Sequence, residues 1–467
     1  MPVWLNILII IILVSIILME VAENGHPIRT LAWILLLVFL PVAGLVLYFF
    51  FGRDRKNRRM VSAQDMDRLQ HLSSQAVAGY VCDNPPERHR NLITLLHTAG
   101  NALPVSGNDV RVYTDFRAMY SDLLEDLQAA RHHIHFQFFK FEDDEFGHRV
   151  EEVLVSKAQE GVEVRLQIDD LANLTRRKFF RRMAKSGVQV RPFLRVHLIL
   201  SSDTNYRNHR KNVVIDGRVG YTGGMNIAKR YAVGIRNGIW RDTHIRVAGP
   251  VVAQMQTAFL VDWKFSTKQL LDQPVYYPQV PAAGGLLMQV ATSGPMGEFR
   301  VIMQAILRIF SESRRYVYVQ TPYFIPNEPL GAALRNAALA GVDVRLIIPR
   351  WDDVNFIVTL ASRSYISDLL AAGVKVYFYE KGFMHAKTVV ADDEVCSIGS
   401  TNLDIRSFEQ DFEINAFIYD RDMAVRIRDC FLDDLSGCSQ VFPDEWAKRP
   451  ATVRFAESFA RLFSPLL

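Results

Sequence analysis

The sequence has little cysteine and little excess of charge, and each shortage excludes a class of protein. Its 467 residues include four cysteines: Cys82, Cys396, Cys430 and Cys438. Their spacing matches no metal-ligand pattern, and four are too few for a disulfide scaffold, so a reducing compartment is indicated. Lys and Arg number 54 against 50 Asp and Glu, a formal charge of +4 that does not indicate a nucleic-acid partner.

Charged residues are also sparse overall, at 22% against 49% hydrophobic residues, which excludes disorder as the dominant state. Much of the hydrophobic excess lies in two uncharged runs, residues 3–19 and 31–51, the second with Pro41 and Gly44 inside it. Each is near the length of about 17 to 25 residues that spans a bilayer. No Lys or Arg precedes the first run and no small-x-small site follows it, so we predict a transmembrane hairpin rather than a cleaved signal peptide.

Charge on either side of the second run predicts the orientation of this hairpin. Residues 53–59 contain four arginines and one lysine, whereas the connecting loop 20–30 has two glutamates and one arginine. The positive-inside rule therefore places the basic segment and everything after it in the cytoplasm. The same segment can bind anionic headgroups. We take residues 1–59 as the membrane hairpin with its basic juxtamembrane segment.

The remainder of the chain repeats one order of helical and strand patterns. A helical pattern at 116–127 precedes a strand pattern at 134–141, and the same pair occurs at 299–310 and 316–319. The copies lie roughly 176 to 186 residues apart, which indicates a duplicated domain rather than a solenoid. Alternating helices and strands predict an α/β fold with helices on both faces of a sheet. The proline-rich stretch 266–285 separates a predicted first domain, 60–265, from a second, 266–467.

Each half ends in the same constellation of residues. The two copies are His209-Arg-Lys211-Asn-Val-Val-Ile-Asp216, followed by Gly223-Gly224-Met-Asn226, and His385-Ala-Lys387-Thr-Val-Val-Ala-Asp392, followed by Gly399-Ser400-Thr-Asn402. Six residues separate the aspartate from the glycine pair in both. A single match to such a pattern is weak, but two copies at equivalent positions of a repeat indicate a functional site.

The spacing of the motif indicates what the site can do. A histidine and a lysine two residues apart on an apolar strand leave the same face, which holds for His209 with Lys211 and for His385 with Lys387. Glycine amides and asparagine side chains can add donors for an anion. The predicted anion-binding residues are Gly224, Asn226, Ser400 and Asn402. If the halves meet about a pseudo-dyad, the two sets form an anion cradle with a nucleophile and an acid, which suits a phosphodiester.

The two motif aspartates, Asp216 and Asp392, belong to the repeated spacing but end their strands at turn positions. For these two residues we favour structural hydrogen bonding over direct chemistry.

The duplicated motif resembles that of the phospholipase D superfamily. Segments 240–250, 320–326 and 463–467, with the amino-terminal hairpin, resemble the bacterial cardiolipin synthase family within it. The resemblance covers nearly the whole chain. It implies two pseudo-symmetric domains, each with a mixed β-sheet flanked by helices, and an enzyme of the bacterial inner membrane.

The resemblance also implies a two-step transfer in which one histidine becomes a phosphohistidine and the other serves as general acid and base. We favour His209 as the nucleophile and His385 as the acid and base. The lysines and asparagines would hold the phosphate oxygens, so neither a metal nor another cofactor is expected. The implied reaction moves a phosphatidyl group between two phosphatidylglycerol molecules, giving cardiolipin and glycerol.

Alternatives stay open at this point. A hydrolase of membrane phospholipids would use the same residues, a nuclease would need a broad basic groove, and a lipid-binding scaffold would tolerate degenerate motifs. An acidic residue is expected to orient each histidine. Glu413 fits this role for the second half. In the first half the aligned residue is His244, with Asp242 nearby, so the partner of His209 is undetermined.

The segment 451–463 carries aromatic residues among arginines. It is either an interfacial amphipathic helix or a helix packed in the core, and we favour the core.

Overall fold

The computed structural model describes residues 3–22, 27–48, 60–195, 205–235, 238–351 and 355–466. The chain divides into two units. One unit comprises residues 1–56 and 196–206, and the other comprises residues 57–195 and 207–467. We describe each unit by itself.

The amino-terminal unit contains three helices: α1 (Val3–Ala22), α2 (Pro27–Phe39) and α3 (Pro41–Leu47). The prediction of one helix over 31–51 is wrong, because the helix breaks at Leu40, whose φ and ψ of −131° and 67° are not helical. Pro41 has no N–H to donate and disfavours helical backbone in the residue before it. None of the helices in the described ranges combines the length and apolarity that crossing a membrane requires. The basic segment 53–59 lies outside the described residues.

The second unit, the catalytic body, holds the two repeats. The first repeat contains, in chain order, α4 (Ala63–Val77), α5 (Arg90–Gly100), β1 (Val105–Tyr113), α6 (Phe116–Ala129), β2 (His133–Phe138), α7 (Glu145–Gln159), β3 (Glu163–Asp169), α8 (Arg177–Lys185), β4 (Gln189–Phe193), β5 (Arg207–Asn208), β6 (Asn212–Ile215), β7 (Val219–Gly223), α9 (Lys229–Val233), β8 (Ile239–Arg241), β9 (His244–Ala248) and α10 (Val252–Thr267).

The second repeat contains β10 (Leu286–Ser293), α11 (Val301–Glu312), β11 (Tyr316–Gln320), β12 (Phe324–Ile325), α12 (Glu328–Leu339), β13 (Asp343–Pro349), α13 (Phe356–Ser364), α14 (Ile366–Ala371), β14 (Lys375–Tyr379), β15 (Gly382–Met384), β16 (Thr388–Ala391), β17 (Val395–Gly399), β18 (Leu403–Asp404), α15 (Ile405–Glu409), β19 (Asp411–Ile418), α16 (Arg421–Leu435), β20 (Cys438–Val441), α17 (Pro443–Ala447) and α18 (Ala451–Arg461).

Local sequence determines where many of these helices begin and end. Asp115 and Asp420 cap α6 and α16, because each side chain accepts a hydrogen bond from a backbone N–H in the first turn. Gly161 and Gly341 follow α7 and α12 with φ of 92° and 90°, a conformation that glycine adopts without strain. These glycines therefore end the two helices just before β3 and β13.

The described residues of the catalytic body form one mixed sheet of 16 strands. Fifteen of them follow the order β20-β14-β13-β11-β16-β17-β19-β10-β1-β9-β7-β6-β2-β3-β4, and β5 joins β19. The repeats meet where β1 pairs with β10, and apart from β5 the strands of each repeat in this sheet lie on one side of that junction. In each repeat three strands run parallel, β2-β3-β4 and β11-β13-β14.

Helices cover both faces of this sheet. Successive residues of β6 enter different cores: Val213 packs with α6, α7 and α8, whereas Val214 packs with α4 and α10. This alternation is the two-residue period of a strand buried on both faces. The predicted α/β architecture, a mixed sheet flanked by helices, is confirmed. The domain boundaries near 266–285 stay a prediction; this stretch holds the end of α10 and the loop to β10.

Candidate active site

The histidine and the lysine of each motif lie outside regular strands. His209 and Lys211 lie between β5 and β6, and His385 and Lys387 lie between β15 and β16. The prediction that each pair occupies a single apolar strand is therefore wrong in detail. Each pair nevertheless stays together, since the Lys387 ammonium lies 2.8 Å from Nδ1 of His385.

Each motif segment is held by a strand of the opposite repeat. The short strand β5 pairs with β19, and the His209 N–H donates to the carbonyl of Phe412 at 2.9 Å. Likewise β15 pairs with β8, and the His385 N–H donates to the carbonyl of Arg241 at 2.7 Å. These exchanged strand pairs place both histidines where the two repeats meet.

Carboxylates of the opposite repeat also orient the two imidazoles. Glu413 Oε1 lies 2.8 Å from His209 Nδ1, and Asp242 Oδ2 lies 2.5 Å from His385 Nδ1. The assignment of Glu413 to His385 is wrong: it orients the histidine of the first repeat, and Asp242 orients that of the second. The undetermined partner of His209 is thereby identified.

Strand register explains this correction. Gly223 on β7 pairs with His244, and the equivalent Gly399 on β17 pairs with Asn415. The carboxylates stand two residues before these partners, so Asp242 is the first-repeat counterpart of the second-repeat glutamate. His244 is buried beside the site, and burial lowers its pKa to about 3. The stretch between the glycine pair and the carboxylate is longer in the first repeat than in the second. Residue spacing alone therefore could not align Asp242 with Glu413.

Burial and charge keep both imidazoles neutral. Burial lowers the pKa of His209 to about 4 and that of His385 to about 3, although their carboxylate partners act in the opposite direction. Burial alone would raise the pKa of Glu413 and Asp242, but the adjacent histidines and lysines outweigh it and hold both values below the usual range. Each carboxylate thus accepts the Nδ1 proton of its histidine, which leaves a lone pair on Nε2 for attack.

The two motif lysines are buried next to the imidazoles. Lys211 Nζ donates to the carbonyl of His209 at 2.7 Å and lies over the ring of Phe139. Burial lowers the pKa of Lys211 to about 7 and that of Lys387 to about 8. Burial disfavours the charged form of each lysine because it removes water. An anion placed between the two lysines would favour their charged forms, because it supplies an opposite charge close by.

Gly224 and Ser400 do not present free amides to an anion, which corrects their predicted role. The Gly224 N–H donates to the Thr243 carbonyl, and the Ser400 N–H donates to a carbonyl of β19, both at 2.9 Å. A Cβ atom on Gly224 would lie 2.0 Å from Asp242 Oδ1, so glycine makes room for that carboxylate. The Ser400 hydroxyl donates to Glu413. Both residues therefore hold the carboxylates in place.

The predicted asparagines differ in their contacts. Asn226 accepts from the Lys140 N–H at 3.1 Å and donates to the Tyr231 hydroxyl at 2.8 Å. That hydroxyl lies 3.5 Å from His385 Nδ1, so Tyr231 belongs to the site, although no motif in the sequence marked it. The side-chain oxygen of Asn402 is buried and has no hydrogen-bond partner among the described residues.

Asp216 and Asp392 lie at the strand ends remote from the histidines and lysines. Both have positive φ, 51° and 57°, in the turns after β6 and β16. Each carboxylate accepts hydrogen bonds from three consecutive backbone N–H groups: those of Arg131, His132 and His133 for Asp216, and those of Arg314, Arg315 and Tyr316 for Asp392. These contacts support the favoured structural role.

Aromatic rings that the sequence did not indicate surround both imidazoles. Phe139 lies edge-on to His209 with ring centroids 4.8 Å apart, and Trp240 and Phe383 lie 5.2 and 5.8 Å from the ring of His385. Within the described ranges, no group of three or more His, Cys, Asp or Glu residues is placed to hold a metal ion. A cavity of about 690 Å3 lies behind the site, with Arg210 rather than either histidine in its wall.

Comparison with known proteins agrees with this geometry. The family profile described as cardiolipin synthase, PLD-like domain, matches residues 123–263 and 306–435, once in each repeat. A second profile, phospholipase D-nuclease N-terminal, matches residues 7–53. The chain therefore belongs to the cardiolipin synthase family of phospholipase D-like enzymes.

Individual relatives match over almost the whole chain. The major cardiolipin synthase ClsA of Bacillus subtilis is 38% identical over an alignment of 476 positions that covers 99% of this chain and 97% of that protein. The cardiolipin synthase of Oceanobacillus iheyensis is 36% identical over 455 residues, 95% of each chain. The crystal structure of phosphatidylserine synthase from Haemophilus influenzae, 14% identical, shares the fold with a TM-score of 0.60 and covers 81% of this chain and 100% of that one.

Proposed function

We propose that this enzyme transfers a phosphatidyl group from one phosphatidylglycerol to a second, releasing glycerol and forming cardiolipin. The observation that carries the proposal is the exchange of carboxylates: two neutral imidazoles, each oriented by the opposite repeat, flank two buried lysines. The cardiolipin synthases that match the whole chain support the choice of lipid substrate.

In the first step, Nε2 of His209 attacks the phosphorus of the donor lipid. A P–N bond forms and the P–O bond to the headgroup glycerol breaks. His385, which takes up a proton from solvent when the anionic lipid binds, gives that proton to the departing oxygen. We assign the nucleophile to His209 because the Lys387 ammonium lies 3.3 Å from Nε2 of His385, whereas Nε2 of His209 has no hydrogen-bond partner among the described residues.

In the second step, His385 accepts a proton from a headgroup hydroxyl of the acceptor lipid. The resulting oxygen attacks the phosphohistidine, a P–O bond forms, and the P–N bond to His209 breaks. Lys211 and Lys387 stabilise the charge on the non-bridging oxygens in both steps, where burial strengthens their effect. The positive charge of Lys387 helps to lower the pKa of His385. The negatively charged phosphate of the bound donor lipid offsets that charge, so substrate binding favours the protonated form of His385.

The test is a product assay with the purified full-length enzyme in detergent, with phosphatidylglycerol as the sole lipid and a chelator present. Cardiolipin and free glycerol are expected in equal amounts. Phosphatidic acid without cardiolipin would instead identify a hydrolase with the same residues.

We also propose that residues 1–59 hold the enzyme in the bacterial inner membrane, with the catalytic body on the cytoplasmic side. The support is the pair of uncharged runs and the basic segment that follows them. Alkaline extraction of membranes is expected to leave the protein in the pellet, and protease is expected to cleave the catalytic body only from the cytoplasmic side.

A further inference from the structure

The helix α18 places its large apolar residues outward. Phe455, Phe459 and Leu462 recur at the spacing of one helical face and are 72%, 54% and 73% exposed. The opposite face contains Glu457 and Ala460, which are 2% and 4% exposed. A helix that packs in a core shows the reverse arrangement, so the prediction of core packing for 451–463 is wrong for these side chains.

Exposed apolar residues also lie on the helix that packs against α18. α13 packs along α18, and Ala361 and Ala460 share one small buried cluster. The first turn of α13 carries Phe356 and Ile357, which are 69% and 50% exposed. We call these five exposed side chains, Phe356, Ile357, Phe455, Phe459 and Leu462, the aromatic patch. Scattered exposed residues need no explanation, but a cluster on two packed helices indicates a contact surface.

The aromatic patch lies on the side of the catalytic body that carries the second motif. The buried cluster beneath it includes Ile325 of β12. This strand pairs with β18, which directly follows the motif residue Asn402. The Leu403 N–H donates to the Thr321 hydroxyl at 3.1 Å, at the carboxyl end of β11. Ligands bind at this end of parallel strands in α/β folds, and the same end holds the motif of the second repeat.

Positively charged residues beside the aromatic patch indicate that its partner is anionic. Arg454 and Arg461 lie together on one flank of α18, beside the outward apolar face. Arg461 already pairs with Asp368 at 3.4 Å. Among the described residues, neither Arg454 nor Lys448 has a carboxylate within 4 Å, so these two can meet an anionic surface. Aromatic and aliphatic residues next to arginine and lysine are the composition of helices that lie in the bilayer interface.

We propose that the aromatic patch inserts into the surface of an anionic phospholipid bilayer and holds the active-site edge against it. This inference rests on the proposed function, since a lipid substrate reaches the histidines from that surface. Arg454 and Lys448 oppose the charge of phosphatidylglycerol, which favours lipid over an apolar protein partner.

A fluorescence measurement tests contact directly. Full-length Phe455→Trp protein is mixed with phosphatidylglycerol vesicles whose acyl chains carry bromine, which quenches tryptophan within the bilayer. We expect its emission to fall by clearly more than that of the wild type. The matched control is Leu339→Trp, 70% exposed at the end of α12 that leads into the amino end of β13, and it should show no added quenching. Quenching of the Phe455→Trp protein no greater than that of the wild type would overturn the proposal and point to a protein partner over the patch.

An activity measurement tests the consequence. The triple variant Phe455→Ser, Phe459→Ser, Leu462→Ser should turn over phosphatidylglycerol in vesicles about tenfold more slowly, since its active site no longer rests on the surface. Turnover of a short-chain, monomerically dispersed phosphatidylglycerol should stay within about twofold of wild type, as should Leu339→Ser on both substrates. Equal losses on both substrates, or no loss on vesicles, would contradict the proposal. If the wild type makes no cardiolipin, the proposed reaction fails, whereas the quenching result still decides whether the patch contacts lipid.

Discussion

The two repeats of the catalytic body share a buried scaffold behind their motifs. In the first, the Gln137 amide donates to Asp262 on α10 at 2.7 Å, and in the second the Gln320 amide donates to Asp434 on α16 at 2.8 Å. Both aspartates are screened from solvent and both need a cation, because an unpaired buried carboxylate is costly. The repeats differ in where that cation comes from.

In the first repeat the motif itself supplies the cation: Arg210, between the histidine and the lysine, bonds to Asp262 at 2.5 Å. The equivalent residue of the second repeat is the buried Ala386. There, Asp434 is paired instead with Arg241 of the first repeat, at 2.9 and 2.7 Å. Both arginines therefore come from the first repeat, and the duplicated halves are no longer interchangeable.

The two histidines differ in a similar way. Each is oriented by a carboxylate of the opposite repeat, but the carboxylate is Glu413 for His209 and Asp242 for His385. The largest expected effects come from removing the histidines. His209→Ala and His385→Ala should each lower kcat by about 10^4-fold or more. With labelled phosphatidylglycerol, His385→Ala should still form some labelled phosphoenzyme in a rapid quench, whereas His209→Ala should form none. The exposed His97→Ala serves as the control and should keep wild-type activity.

The opposite distribution of label, retained by His209→Ala and lost by His385→Ala, would reverse the assigned roles. Full activity in either variant would exclude the paired mechanism altogether.

The exchanged carboxylates give the next largest effect. Glu413→Gln and Asp242→Asn should lower kcat by about 10^2- to 10^4-fold, because an amide no longer fixes the Nδ1-protonated tautomer. Glu413→Gln should mainly slow phosphoenzyme formation, as expected for the partner of His209. Ser400→Ala removes one hydrogen bond to that glutamate and the hydroxyl's contacts with the backbone of Ile414, and it should cost less than either. Phosphoenzyme formation at the wild-type rate in Glu413→Gln would show that the exchange has no role in catalysis.

Changes in kcat/KM with pH should be smaller than the effects of these substitutions. The acid limb of the profile should report on His209 and the alkaline limb on the two lysines. Since the pKa of His209 is about 4 and the nucleophile must be neutral, kcat/KM should fall as pH drops toward 4. Since the pKa values of Lys211 and Lys387 are about 7 and 8 and both must be charged, kcat/KM should also fall above pH 7 to 8. Bound anionic lipid stabilises the ammonium forms, so the alkaline limb of kcat should lie at higher pH.

Lys211→Arg should move the alkaline limb upward toward the pKa of Lys387, about 8, because a guanidinium stays charged and Lys211 has the lower pKa of the two lysines. Identical alkaline limbs in kcat and kcat/KM would show that the lysines do not face the phosphate.

The sequence was sufficient to predict the α/β order and the motif residues, because periodicity and spacing are local properties. The exchange of Glu413 and Asp242 was missed, because it depends on β5 pairing with β19 and on β8 pairing with β15, strands far apart in the sequence. The roles of Gly224 and Ser400 were missed for a related reason: their backbone N–H groups are used by the strands and loops that carry these carboxylates. The outward face of α18 was missed because an amphipathic pattern does not reveal which side meets the core.

The smallest effect on chemistry, and a measurable one on stability, is expected at the turn aspartates. Asp216→Ala and Asp392→Ala each leave three backbone N–H groups without their acceptor, and an unsatisfied buried group costs about 1 to 3 kcal/mol. Both variants should unfold at lower denaturant concentration, while kcat per folded molecule stays within about threefold of wild type. The loss should be larger at Asp392, whose carboxylate accepts a further hydrogen bond from the Arg88 guanidinium in addition to its three backbone contacts. In an Arg88→Met background, Asp392→Ala and Asp216→Ala should therefore lower the free energy of unfolding by similar amounts. A fall in kcat per folded molecule well beyond about threefold in either aspartate variant would instead indicate a direct catalytic role.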